Sequence, residues 1–355
     1  MKVPLLDLRK QYAALGPALE AAVHHVLASG QFILGDDVAL LENELASDHG
    51  VAHAIGVSSG TDALLAALWT LGVGPGDEVI TTAMSFFATA GAIARLGATP
   101  IFADIDLATF NLDPASALAR ITPRTKAILP VHLFGRLAPI DELATTNLPI
   151  VEDAAQAVGA KGLAQQSKLA TLSFFPSKNL GAAGDAGMVL TNDAELADRT
   201  RLYRSHGARP KFVHHVVGAN LRIDTLQAAI LRVKRTHLAA WTAQRRANAA
   251  AYRERLHDTP LTLPEPTAHH VWHHFVVRAP DRDALRAFLR EREIETEVYY
   301  PLPLHLQPCF PGGKPGDLPN AERAAKEVLA LPVHPDLDAA QLAFVAETIT
   351  AFYAR

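Results

Sequence analysis

The scarcities of this 355-residue chain exclude more than its abundances suggest. It has one cysteine, Cys309, so no disulfide can close within the chain. It has no excess of basic charge: 33 Lys and Arg stand against 37 Asp and Glu, for a net charge of −4. The electrostatic footprint of a nucleic-acid binder is therefore missing. The uncharged run at residues 79–94 is shorter than a membrane span and carries Thr and Ser. The opening MKVPLLDLRKQ has no apolar core of a secretory signal, so a cytoplasmic protein is the expectation. There is no fixed-period repeat and no low-complexity stretch. No G-x-G-x-x-G follows the first strand-like run, which counts against a nicotinamide-binding protein.

What is present describes a folded chain. Hydrophobic residues make up 49%, charged residues 20%, and the mean hydropathy is +0.10. The length suits two packed domains. Leu15, Leu19, Ala22, Val23 and Val26 recur at helical spacing, and Gly30 can end that helix. Val38, Leu41 and Leu45 predict a second helix over 36–49, with Gly50 beyond its end.

An alternation then begins. Strand-like runs fall at 51–57, 78–82, 99–105, within 125–135, at the start of 149–159, at 169–175 and at 186–192. Helical patterns at 62–72, 86–97 and near 139–145 separate them. Short apolar strands spaced by helices predict an α/β fold with a largely parallel sheet covered on both faces. A charged helix follows from 193. Residues 224–255 carry no Gly or Pro and predict one long helix that bridges to a second unit. There the pattern changes to a strand at 271–278, a helix at 281–293, a strand at 294–300, a Pro/Gly-rich loop and two closing helices. The expected division is residues 1–240 and a smaller α+β unit, 241–355.

Ligands of open α/β sheets sit at the carboxyl ends of strands, and three polar clusters fall at such ends. Ser58, Ser59, Gly60 and Thr61 lie between a strand and a helix; they suit a phosphate, or simply cap the helix. Glu152 and Asp153 end an apolar strand, with Gln156 close behind; such acids can face solvent or pair with a protonated ring nitrogen. Ser173 and Lys178 belong to TLSFFPSKNLGAAGDAG at 171–187. Lys178 reads either as a loop lysine whose stem covers apolar surface or as a Schiff-base amine. Phe86 can stack on an aromatic ring or belong to the core. Together these residues are the set a pyridoxal-phosphate site needs. His269, His270, His273 and His274 lack accompanying cysteines or paired carboxylates and read as structural or surface histidines, so no metal is expected. Cys309 has no partnering base and reads as a bystander.

SSGTDALLAAL, SFFATAGAI, VEDAAQA, SFFPSKNLGAAGDAG, GANLRIDTLQAAIL and YYPLPLHLQP, in this order, resemble the DegT/DnrJ/EryC1/StrS family of pyridoxal-phosphate-dependent sugar aminotransferases nearly end to end. The resemblance implies the aspartate-aminotransferase type of fold (fold type I), a mostly parallel seven-stranded sheet with a small C-terminal domain. It implies pyridoxal 5′-phosphate held covalently by Lys178, which also carries the proton. Asp153 would pair with the ring nitrogen, Phe86 would stack on the ring, and Gln156 would lie near its hydroxyl. Gly60, Thr61 and Ser173 would hold the phosphate. Asn220 would reach the phosphate of a neighbouring subunit, so the resemblance implies a homodimer with composite sites. His305 lies in a loop that resembles the sugar-facing one.

Two departures stand out. Arg136 stands where many relatives carry Gln; it could meet a sugar carboxylate or a phosphate, or face solvent. Ala186 stands where many carry Gly. The implied activity is transfer of an amino group from glutamate to a nucleotide-linked keto-sugar, leaning to a 3-keto dTDP- or UDP-sugar. The alternatives are a sugar dehydratase, in which relatives carry His in place of the lysine, and a non-catalytic nucleotide-sugar sensor.

Overall fold

The computed structural model describes residues 1–355. Seven strands lie in the first two-thirds: β1 (His53–Val57), β2 (Glu78–Thr82), β3 (Thr99–Ala103), β4 (Thr125–Leu129), β5 (Val151–Asp153), β6 (Leu169–Ser173) and β7 (Gly187–Thr191). One ladder runs β1-β7-β6-β5 and another β3-β2-β4. Parallel bridges at Ile128–Ile150 and Val131–Asp153 join them, giving the single order β1-β7-β6-β5-β4-β2-β3. Only β7 runs against its neighbours. The expected seven-stranded, mostly parallel sheet is therefore present.

Why these residues form this sheet follows from burial. Every residue of β2, β6 and β7 is buried, as expected of strands covered on both faces. Alternation assigns them: Leu172, Met188 and Leu190 pack with Val38, Leu41 and Leu231 on one face. Leu169 and Val189 pack with Leu64, Leu68 and Ile93 on the other. The helix Gly60–Thr70 belongs to that second face.

A third core gathers the C-terminal part around β8 (Phe275–Arg278) and β9 (Val328–Leu331), an antiparallel pair. It includes Tyr252, Leu285, Val345 and Ile349, and also Val3, Ala83, Met84 and Val131 from the first half of the chain. The helix Leu238–Leu256 starts in one core with Leu238 and ends in the other with Ala249, Tyr252 and Leu256. That handover supports our proposal to divide the chain near residue 240.

Three local expectations are corrected. The long helix over 224–255 is two, Thr225–Arg235 and Leu238–Leu256. At the break, the Thr236 hydroxyl donates to the Val233 carbonyl at 2.8 Å, competing with the backbone pattern. Residues 294–300 make only single bridges, Ile294 to Val3 and Glu297 to Ala330, instead of a strand. There the Glu297 carboxylate accepts the Val298 amide at 2.8 Å. The strand expected from 271 begins at Phe275. Trp272 sits in left-handed backbone at φ 48, its amide donating to His270 Nδ1 at 3.0 Å, with the two rings stacked 3.8 Å apart.

Candidate active site

Because β5 and β6 are parallel, their carboxyl ends lie together: Asp153 ends one and Ser173 the other. Antiparallel β7 starts beside both β1 and β6, with Gly187 opposite Val57 and Ser173. This juxtaposition needs small residues. A Cβ at Gly187 would lie 2.3 Å from the Ser59 carbonyl oxygen, and one at Gly60 would lie 2.5 Å from Ser173 Cβ. The glycines thus let the helix Gly60–Thr70 press its N-terminus against the end of β6.

At that N-terminus, Ser59 Oγ accepts the Asp62 amide at 3.0 Å. Ser58 and Ser59 donate their hydroxyls to the Asp62 carboxylate at 2.6 and 2.9 Å. The Gly60 and Thr61 amides have no side-chain cap, and the helix dipole adds positive potential there. Phosphate is the ligand class such a corner favours.

One cavity of about 590 Å³ collects Gly60, Thr61, Phe86, Asp153, Gln156, Ser173 and Lys178. That volume is in the usual range for a small-molecule site. Asp153 is buried. Its Oδ2 accepts from Thr89 Oγ1 at 2.8 Å, and its Oδ1 from the Ala155 amide at 3.2 Å. Ser85 Oγ in turn lies 2.8 Å from Thr89 Oγ1. Burial pushes the Asp153 carboxyl above its ordinary range, opposed by Thr89, the Ala155 amide and the charge of Lys178. A carboxylate in this position needs a cation beside it to stay ionised. Burial lowers Lys178 to about 8, with the Asp153 charge resisting, so much of the amine is neutral just above physiological pH.

Gln156 Oε1 accepts the Phe134 amide at 2.6 Å, and its Nε2 donates to Tyr300 OH at 3.2 Å. The Phe86 ring is 60% exposed and free to stack on a planar ligand. Strand alternation turns Glu152 to the other side, where it accepts from His132 Nε2 at 2.6 Å and from the Ala164 amide at 2.9 Å. His132 Nδ1 meanwhile accepts the Ala138 amide at 2.8 Å, which fixes the ring's tautomer. Glu152 therefore supports the strand and lies outside the cavity.

Three expected residues lie apart from the cavity. Arg136 donates to the Glu265 carbonyl at 3.1 Å. His305 is buried, with Nε2 3.2 Å from Glu322 Oε1, and opens on a different cavity beside Phe310 and Arg120. Asn220 is exposed and bridged to Ser205. Ala186 is buried, and its carbonyl accepts the Phe174 amide at 2.8 Å.

The family's own model matches residues 14–350 and is that of the DegT/DnrJ/EryC1/StrS aminotransferase family. The chain belongs to this family. It is 52% identical to a pleiotropic regulatory protein of Geobacillus stearothermophilus, over 99% of each chain. It is 43% identical to a UDP-N-acetyl-3-dehydro-α-D-glucosamine 3-aminotransferase of Acidithiobacillus ferrooxidans, over 98% of this chain and 97% of that one. It is 44% identical to a dTDP-3-amino-3,4,6-trideoxy-α-D-glucose transaminase of Streptomyces venezuelae, over 98% and 95%. Among solved structures, S. venezuelae DesV in complex with a ketimine intermediate superposes with a TM-score of 0.97 at 42% identity, over 100% of this chain and 99% of that one. The sheet and its C-terminal domain are accordingly those of the fold type I aminotransferases, and the chain is an aminotransferase of a pyridoxal-phosphate-dependent family.

Sequence reasoning missed several cavity residues. Thr89 sits one helical turn after Ser85 on an apolar segment and carries no motif of its own. His273 and His274, read as structural or surface residues, line the cavity, as do Arg245, Tyr299, Tyr300 and His334. The burial of Arg245 and His334 becomes visible only once the C-terminal part packs on Ala83, Met84 and Val131, just past the carboxyl ends of β2 and β4.

The close approach at Gly60 gives a direct test. Gly60→Ala is expected to weaken pyridoxal-phosphate binding about tenfold and to cost about 1–3 kcal/mol of stability by overpacking against Ser173. Titration of the cofactor and a thermal melt measure the two effects; unchanged values in both would mean the corner is loose.

Proposed function

We propose that this chain moves an amino group from glutamate to a nucleotide-linked keto-sugar, with a 3-keto dTDP- or UDP-sugar as the acceptor class. The observation that carries the reading is the single cavity holding Lys178, Asp153 and the helix N-terminus whose Gly60 and Thr61 amides carry no side-chain cap. The residues fit pyridoxal phosphate: an anion corner tight enough to exclude a Cβ, a buried carboxylate that needs a cation, and a desolvated amine. Lys178 would hold the group covalently. Asp153 would hold its ring nitrogen protonated, Phe86 would cover its face, and Gln156 would lie beside its hydroxyl. Gly60, Thr61 and Ser173 would hold its phosphate. When bound, the group supplies the electron sink that makes the α-proton of an amino acid removable.

Each residue's part then follows from its environment. Lys178 Nζ would take the α-proton of the donor and later give it up; a pKa near 8 suits both directions. Thr89 and the Ala155 amide orient the Asp153 carboxylate, and Ser85 orients Thr89. Asn220, exposed here, would reach the phosphate of a second copy. The exposed Phe86 and Phe175 on the cavity wall support a homodimer in which that copy closes the site. Relatives named for dTDP- and UDP-sugars support the acceptor class. His305 and Arg136 are candidates for sugar contacts only across such an interface or after movement of their loops.

The test is the visible absorption of the cofactor-loaded protein. Glutamate is expected to bleach the band, and a 3-keto dTDP- or UDP-hexose to restore it, with 2-oxoglutarate released in the first step. A band that glutamate leaves untouched would point to another amino donor or to a non-transaminating role.

A further inference from the structure

His274 is the second of two adjacent histidines in the wall of this cavity, and the chemistry described above gives it no part. Its backbone amide donates to the Phe134 carbonyl at 3.2 Å. Its ring is half-buried and stacks on Tyr299, with centroids 4.3 Å apart and planes 28° apart. The His273 ring lies 4.0 Å away on another side, and Phe134 meets it edge-on at 6.1 Å. Three neighbouring rings thus fix its plane. The ring borders two spaces: this cavity, and a crevice of about 10 Å³ with room for one water at most.

His273 is placed differently. It is 4% exposed, and Asn179 commits its Nδ2 to the Val271 carbonyl at 3.0 Å and turns its Oδ1 to His273 Nδ1 at 3.1 Å. That nitrogen therefore donates within the chain. The two ring nitrogens of His274 have no partner within the chain, and neither is sealed from its surroundings. Burial and the charges of Lys178 and Arg245 hold His274 well below its ordinary pKa. At neutral pH the ring is uncharged, with one nitrogen donating and the other accepting.

Such a ring is a poor match for glutamate, whose two carboxylates and ammonium call for opposite charges. It matches a hydroxyl, which also donates and accepts, or a carbonyl. Both substrates must bring their reacting carbon beside the amine of Lys178. A group that feels the charge of that amine therefore meets the hexose and not the nucleotide at its far end. We propose that His274 hydrogen-bonds the hexose of the acceptor and helps decide which sugars the cavity takes, with Tyr299 holding its ring in place. This inference rests on the aminotransferase reading above.

The experiment uses the cofactor-loaded protein after glutamate has bleached its band, with His274→Phe and His274→Gln variants. Calorimetry compares UDP-N-acetylglucosamine with UDP, and dTDP-glucose with dTDP; within each pair the difference is the hexose. His274→Phe keeps a flat ring on Tyr299 and loses both nitrogens. It is expected to weaken both sugar nucleotides about tenfold, the usual worth of one hydrogen bond, while UDP and dTDP bind as before. His274→Gln keeps a donor and an acceptor and is expected to stay within about threefold of wild type. Glutamate is expected to bleach both variants as it does wild type. If the Phe variant does not fold, His274→Leu takes its place with the same expectation. Sugar-nucleotide affinities within twofold of wild type in the folded Phe or Leu variant would overturn the assignment. So would an equal weakening of glutamate, because the histidine would then serve the lysine and not the acceptor. A wild-type protein that glutamate does not bleach, or that binds sugar nucleotides no tighter than bare nucleotides, would instead overturn the functional reading beneath the inference.

Discussion

Lys178→Ala is expected to abolish repeated turnover, by at least about 10³-fold, while leaving the fold intact. The loss combines the covalent attachment point with the proton carrier, and a positioned acid–base group alone contributes about 10²–10⁴-fold. The fold survives for a reason visible in the site. Burial lowers the lysine to about 8 from an ordinary 10.5, so folding disfavours its charged form. The sign follows: a cation whose pKa falls on folding makes the folded state less stable as pH drops from 10.5 through 8. Removing it relieves that cost but takes from Asp153 its neighbouring cation, so the melting temperature of the cofactor-free protein at pH 7 is expected to change little. The same value predicts that wild-type protein captures pyridoxal phosphate about tenfold faster at pH 9 than at pH 7, in step with the neutral amine. Turnover of the alanine variant within tenfold of wild type would show that another amine carries the chemistry.

Asp153→Asn is the second large effect. The amide can still accept from the Ala155 N–H, and Thr89 can reverse its hydroxyl, so the local geometry persists. What disappears is the charge opposite a protonated ring nitrogen. A charge-assisted hydrogen bond is worth roughly 1.5–3 kcal/mol. Turnover should therefore fall by about 10–100-fold, at about 1.4 kcal/mol per decade, and by more if the ring loses its proton. Steady-state kinetics with glutamate measure it. A variant within threefold of wild type would remove Asp153 from the role.

Most of the sheet was legible because its strands are short, apolar and separated by helices of a different period, as β2 and its neighbours show. The lysine loop was legible through its motif, and Asp153 through its place at a strand end. The illegible parts depend on contacts distant in sequence. β9 lies in an apolar stretch that closes a helix, and only its pairing with β8 makes it a strand. Residues 294–300 alternate as a strand should, yet Glu297 diverts its own chain's hydrogen bonding. Arg245 sits among helix formers, where an arginine ordinarily faces water; only the fold reveals that it faces inward. Glu152 and Asp153 looked equivalent in sequence, and strand alternation alone assigns them to opposite sides.

The core that holds Val3 and Ile349 together also sets an order of events in time. The sheet can pair as soon as β7 has been made, but that core cannot close until residue 349 leaves the ribosome. At about 5–20 residues per second, Val3 waits roughly 20–70 s for its partners. From their own emergence until that closure Ala83, Met84 and Val131, the last of which lines the cavity, remain uncovered, and a nascent chain stalled before β9 would present them to chaperones.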